Sequence, residues 1–259
     1  MNQSVRSKAT ENLNALANGA AVFHGYKLAY GCVVGSHAYG TATANSDIDV
    51  RGVFVRGAFN ILTNHDPQNL SSSTTDTVLY SFDNFVKMLA NGNPNIVDMV
   101  GVGAEFRLKS SPEMQLIFDN MHLFMSKRMG RACRGYANKQ REIFTSHTHF
   151  IKEAPVLGKA MMHYVRTVHN GIHMLHTGEP VACDTDSEVL IKIRSGHYID
   201  PDTNRPNNKF LRVMDMLEDD LDAALMLDIL PEEPHYSEIN RLLAEVNARA
   251  LGIAPNTYF

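Results

Sequence analysis

A chain of 259 residues exceeds an average domain and barely suffices for two, and its 44% hydrophobic and 20% charged content is that of a folded globular chain, which excludes disorder and fibrous repeats. A net charge of −4 excludes a surface that coats nucleic acid throughout, and no apolar run approaches the ~18 residues that a membrane span needs. Three scattered cysteines (Cys32, Cys133, Cys183) without a CxxC pair exclude a disulfide framework and a cysteine zinc site; with Met1 to Thr10 too polar for a secretory signal, a reducing, cytoplasmic setting is expected.

Residues 7–18 carry Ala9, Leu13, Leu16 and Ala17 at helical spacing, and Gly19 reads as the stop of a first helix. Residues 27–34 are apolar and β-branched toward their end and run into Gly35-Ser36, the pattern of a buried strand that breaks at a tight turn. Residues 48–55 predict a second strand and 74–80 a short third one. Ser81 is placed to cap a helix in which Phe82, Phe85, Val86 and Leu89 recur at i, i+3, i+4 and i+7; Gly92 ends it and Asn93-Pro94 opens the next element. Beyond residue 106 the patterns are helical, over 112–144, 155–177, 209–230 and 236–251, with Pro- and Gly-rich connections at 178–180, 200–208 and 231–234. The expected fold class is α+β: a small mixed β-sheet domain over 1–106 followed by a mainly helical region over 107–259.

Charge is unevenly spread. Residues 107–170 hold eleven Lys or Arg against four acids, and residues 215–238 hold nine acids and no Lys or Arg. The basic middle invites an anionic partner, while two solvated helical faces of opposite sign would give the same pattern.

The densest chemistry lies in residues 35–55, GSHAYGTATANSDIDVRGVFV. Side chains at i and i+2 of an extended segment share a face, so Asp47 and Asp49 point the same way while Ile48 and Val50 face the core. Two carboxylates aimed at one spot repel unless a cation separates them, and hard oxygen ligands suit Mg²⁺, which favours carboxylates together with substrate phosphates. Gly35 lets backbone approach a phosphate, and the Ser36 hydroxyl is a donor for it. Asp76 supplies a third acid; on a neighbouring strand it would hold a second ion or take a proton from an attacking hydroxyl. Arg51, on the face of the two acids, would steady a carboxylate or a phosphate, or form a structural ion pair.

These residues resemble the signature of the DNA polymerase β nucleotidyltransferase superfamily, a Gly-Ser turn followed about ten residues later by Asp-x-Asp. The likeness is closer to its branch called the RNA repair pathway DNA polymerase β family. Gly92-Asn93-Pro94, Gly135-Tyr136-Ala137, the helix from Lys159 to Glu179 and the Ile-Arg-x-Gly of residues 193–196 carry it, so that it spans roughly residues 28–200. The resemblance implies a nucleotidyltransferase domain over 1–106 and a helical substrate- and nucleotide-binding region after it. It implies two Mg²⁺ ions held by Asp47, Asp49 and Asp76 as catalytic and metal residues, and a nucleoside triphosphate, with ATP expected, bound near Gly35 and Ser36. A nucleoside monophosphate would pass to an acceptor hydroxyl, with RNA the expected acceptor, and pyrophosphate would leave. Transfer of AMP to a protein or small molecule, and nucleotide sensing without turnover, stay open as alternatives.

On the helix over 155–177, Leu157, Met161, Tyr164, Val165, Val168, Ile172 and Leu175 form one apolar stripe. The opposite face reads Lys159, His163, Arg166, Asn170, His173. It is either a solvated face or a cradle for a triphosphate or a nucleic-acid backbone, and the resemblance implies the cradle, with Lys159, His163 and Arg166 as nucleotide contacts. His169, His173 and His176 lack the Glu of an HExxH site, and His147 and His149 make a weaker metal pair. Lys127, Arg131, Arg134 and Arg141 form a stripe that would fit the phosphates of an RNA acceptor, unless the acidic segment 215–238 docks against it. Tyr136, Phe144 and Phe150 are the nearby aromatics for base stacking or, equally, for the core.

Overall fold

The computed structural model describes residues 1–63, 69–72, 74–145 and 153–253. His147, His149 and Phe150 lie outside the described residues. In chain order the elements are α1 (Gln3–His24), β1 (Lys27–Val33), the single-turn α2 (Gly35–Ala38), β2 (Val50–Val55), α3 (Ala58–Thr63), β3 (Asn69–Ser72), β4 (Thr77–Ser81), α4 (Phe82–Ala90), α5 (Pro94–Gly101) and β5 (Arg107–Ser110). There follow α6 (Pro112–Asp119), α7 (Lys127–Thr145), α8 (Ala154–Thr177), α9 (Ser187–Arg194), a hairpin of β6 (Ile199–Asp200) and β7 (Arg205–Pro206), α10 (Asn208–Met226) and α11 (Tyr236–Ala250). The α+β class and the mixed sheet in the first half, followed by a mainly helical second half, are as the sequence reads. Among the described residues no helix is long and apolar enough to cross a membrane.

The five-stranded sheet runs β3-β4-β2-β1-β5, with β2 and β4 parallel and the other pairs antiparallel. Alternation along β1 and β2 gives each face its own core. Val33, Val50 and Phe54 meet Ala9 and Leu13 of α1, whereas Tyr30, Cys32 and Val53 meet Phe82, Phe85, Ile96 and Met129 of α4, α5 and α7. A further core joins α7, α8, α9 and α10 around Tyr164, Leu190, Phe210 and Leu221. Helix α11 joins the core of α4, α5 and α7 through Ile239 and Val246.

Several boundaries differ from the sequence reading for identifiable reasons. Gly19 does not stop α1, which continues until Gly25 takes the left-handed conformation and donates its N–H to Ala21; an interior glycine costs a helix only about 1 kcal/mol, and Ala20 is buried beyond it. The stretch 112–144 is two helices, separated at Asn120. The short β3 and β5 lie at the sheet's two edges and are too polar for the alternation rule. Strand β5, which begins just after residue 106, pairs with β1, so the sheet extends to Ser110. The eight-residue α9, capped by the Asp186 carboxylate, lies in a stretch to which the pattern assigned no element.

Candidate active site

Parallel pairing of β2 with β4 builds the site. Val50 is opposite Thr77, so the residues just before them, Asp49 and Asp76, come together at the starting ends of these two inner strands. Two backbone bonds fix them: Val50 N–H donates to Asp76 O at 3.1 Å, and Val34 N–H donates to Asp49 O at 3.0 Å, which ties in the end of β1. Asp47 and Asp49 sit in the segment leading into β2, since the strand starts at Val50. Asp76 occupies the turn before β4 with φ +42°, so the third strand begins at Thr77, after the acid.

Gly35 opens α2 with φ +68°, and a Cβ placed on it would fall 2.1 Å from Asp49 Oδ2. Both the conformation and the close approach require glycine. Gly35→Ala is expected to displace Asp49 and to lower stability by about 1–2 kcal/mol. Chemical denaturation together with an activity assay checks it, and an unchanged variant would show that Asp49 has room to yield.

Asp49, Asp76 and Arg51 form one electrostatic unit. The Arg51 guanidinium donates to Asp76 Oδ1 at 3.2 Å, to Asp76 O at 2.7 Å and to Asp49 Oδ1 at 3.3 Å. Burial pushes the Asp49 carboxyl up to about 6; Arg51 opposes the rise and the Asp76 carboxylate adds to it. Among the described residues no three His, Cys, Asp or Glu side chains already stand as a metal-binding group. The donor chemistry nevertheless fits Mg²⁺: the side chains are hard carboxylates lining one cleft, and a cation would relieve the repulsion between Asp49 and Asp76.

That cleft, about 430 Å³, has the size of a small-molecule site. Gly35, Ser36, Asp47, Asp49 and Asp76 line it from the ends of the inner strands, Lys159 and His163 from α8, and Arg194 from α9. Seven of the eight sequence-derived site residues are thus brought together. A Cβ on Gly158 would lie 2.3 Å from Arg194 O, so α8 and α9 touch where Lys159 and Arg194 enter the cleft. Arg194 also donates to Thr41 O at 3.0 Å, which joins α9 to the loop before β2.

Burial pushes the His163 imidazole down to about 4, with Arg166, Lys159 and Arg194 adding to the fall. It is therefore a neutral donor or acceptor at pH 7. A group lowered from its ordinary value of 6.5 stabilises the fold fully above that value and loses the contribution as pH falls through about 4. His163→Gln is expected to flatten the fall in melting temperature between pH 6.5 and pH 4, as read by calorimetry; an identical pH profile would contradict this.

Arg166, the eighth residue, does not line the cleft. It is 3% exposed, and its guanidinium donates to Asp98 Oδ1 at 2.9 Å and to Ala182 O at 2.5 Å while stacking 3.9 Å over the Tyr39 ring. Asn170 is likewise buried and donates to Val181 O and Ala182 O. The polar face of α8 is thus largely an internal seam, because it packs against α5 and the 181–184 loop. His173 pairs with Asp184 at 3.0 Å.

The basic stripe on α7 is matched by acids. Lys127 and Arg131 pair with Glu232 at 2.9 and 2.8 Å, Arg128 with Glu233 at 3.0 Å, Arg141 with Glu218 at 2.7 Å, and Arg134 with Asp222. The acidic segment docks on the basic helix, so the stripe is not a bare phosphate cradle. Phe144 packs edge-on against Tyr164 and Phe210 in the core.

Sequence reasoning gave no role to Tyr39, Asp98 or Arg194. A lone acid within the apolar PNIVDMVG of α5 was the available signal for Asp98, and Arg194 stood inside a quoted motif.

Comparison with known proteins agrees with this architecture. A similar protein is the uncharacterized 38.9 kDa protein of the nrdC-mobD intergenic region of Enterobacteria phage T4, 34% identical over 119 residues, which are 41% of this chain and 35% of that protein. The match thus spans about a third of that relative's length. Residues 5–245 match the model of the RNA repair pathway DNA polymerase beta family, which takes in the sheet, the three acids and every helix lining the cleft. By that match, the chain belongs to the RNA repair pathway DNA polymerase beta family.

Proposed function

We propose that the chain is a Mg²⁺-dependent nucleotidyltransferase that moves a nucleoside monophosphate from a nucleoside triphosphate to a hydroxyl of RNA. The observation that carries the reading is the convergence of Asp47, Asp49 and Asp76 with Gly35, Ser36, Lys159 and His163 on one cleft. The three carboxylates would hold two Mg²⁺ ions, which when bound neutralise the triphosphate and make the acceptor hydroxyl more acidic. Ser36 donates to a phosphate oxygen, and Lys159 and Arg194 supply positive charge from the facing helices. Asp76 accepts the proton as the acceptor oxygen bonds to the α-phosphorus and the bond to the departing pyrophosphate breaks. His163, neutral in its buried setting, contributes hydrogen bonding rather than charge.

A second reading, transfer of AMP to a protein or small molecule, draws support from the α7 stripe, whose cations are engaged by acids and offer a long RNA little free charge. Incubation with Mg²⁺ and each labelled nucleoside triphosphate, with and without RNA, separates the two. Label on RNA, accompanied by release of pyrophosphate and abolished by a chelator, supports the first. Label on the protein or on a small hydroxyl compound supports the second, and no transfer under any condition refutes both.

A further inference from the structure

One buried carboxylate beside the cleft is left without a task by the chemistry above. Asp98 is 4% exposed on α5 and lies against the floor of the cleft. Its local placement follows from sequence: Asn93 caps α5 through its side chain and Pro94 opens the helix, so one turn later residue 98 faces inward among Ile96, Val97, Met99 and Val100. Both carboxylate oxygens are engaged. The Tyr39 hydroxyl donates to Oδ2 at 2.5 Å, and Arg166 donates to Oδ1 at 2.9 Å.

The two partners belong to opposite walls of the cleft. Tyr39 ends α2, the turn begun by Gly35 and Ser36, and its N–H donates back to Gly35 O at 3.0 Å. Arg166 stands on α8, two turns from Lys159 and one from His163, and its second bond to Ala182 O holds the loop that leads into α9 and Arg194. The Arg166 guanidinium also covers the Tyr39 ring. Asp98 is thus bonded both to the phosphate-side turn and to the helix that faces it. A buried charge held by two charge-assisted bonds has a narrow geometry.

We propose that Asp98 is a positioning residue for nucleotidyl transfer: through Tyr39 and Arg166 it sets the separation between the Gly35-Ser36 turn and the Lys159 and His163 side of the cleft. The inference rests on the nucleotidyltransferase reading, because only a two-walled phosphate site needs that separation held. Misplacement of reacting groups by about 1 Å can cost 10²-fold in rate.

Tyr39→Phe is the informative variant, since it removes the hydroxyl donor and keeps the ring beneath Arg166. It is expected to remain folded and to lose about 10-fold or more in kcat for transfer, with the Kd for the triphosphate, measured directly by calorimetry, changed less than threefold. Asp98→Asn keeps an oxygen acceptor for Tyr39 and is the second arm. Combined with Tyr39→Phe at a temperature where all variants are folded, it is expected to cost no more than the larger single effect, because both changes cut one linkage. A purely structural role would lower the melting temperature and leave kcat per folded molecule unchanged, which overturns the inference, as do fully multiplicative losses. If the wild type binds triphosphate and transfers its nucleotide while Tyr39→Phe does the same at equal rate, the positioning role alone fails. A wild type that neither binds nor transfers overturns the function and the inference together.

Discussion

Arg166→Met is expected to destabilise the protein by about 3–5 kcal/mol, a drop in melting temperature of about 10 °C for a chain of this size. The cost is the stranding of Asp98 more than the loss of attraction. With its guanidinium gone, the carboxylate sits 4% exposed with the Tyr39 hydroxyl as its remaining donor, and Ala182 O loses a donor as well. Removing both charges is the control. Arg166→Met combined with Asp98→Asn is expected to recover part of the loss, since a buried ion pair replaced as a unit costs far less than half of it. Arg166→Lys is expected to fall between, because a point charge cannot serve Asp98 and Ala182 in one plane as the fork does. Calorimetry on the three variants decides the matter; a loss below about 1 kcal/mol for Arg166→Met would show that water already reaches the pair.

Asp49→Asn is expected to reduce nucleotidyl transfer by about 10²–10³-fold or more, by withdrawing a carboxylate that would hold the Mg²⁺ set against the charge developing on the phosphates. The fold is expected to survive, and the variant to melt no lower than the wild type. Burial and Asp76 hold this carboxyl at about 6 against an ordinary 3.8, so its ionised form is a strain on the native state that the amide removes. Wild-type protein is expected to gain melting temperature with millimolar Mg²⁺, and Asp49→Asn to gain little. A variant that transfers at the wild-type rate, or that shifts equally with Mg²⁺, contradicts the metal assignment.

The site's acids were legible before the fold because an Asp-x-Asp after a Gly-Ser turn is a local pattern whose chemistry depends on few distant contacts. Its partner, Asp76, was legible as a third acid but not as a turn residue, since the bond from Val50 N–H that fixes it crosses 26 positions of sequence. Arg166 shows the opposite case. On a helical wheel it shares a face with Lys159 and His163, and nothing in that spacing tells that the lower half of the face is covered by α5 and the 181–184 loop. The α7 stripe was misleading for the same reason: its charge is real, and its counter-charges lie roughly a hundred residues away at Glu232 and Glu233. The edge strands β3 and β5 were invisible because edge positions need little hydrophobicity.

The return of α11 to the core beside α4 bears on how the chain is made. Ile239 and Val246 lie on the helix that covers α4 and α6, so a nascent chain displays that apolar face on the ribosome until residue 236 and beyond have emerged. At about 5–20 residues per second, the stretch between Ser110 and Tyr236 takes roughly ten seconds to synthesise. During that interval the apolar face is exposed, and shortened products ending before α11 are expected to be sticky and protease-sensitive although they keep every acid of the cleft.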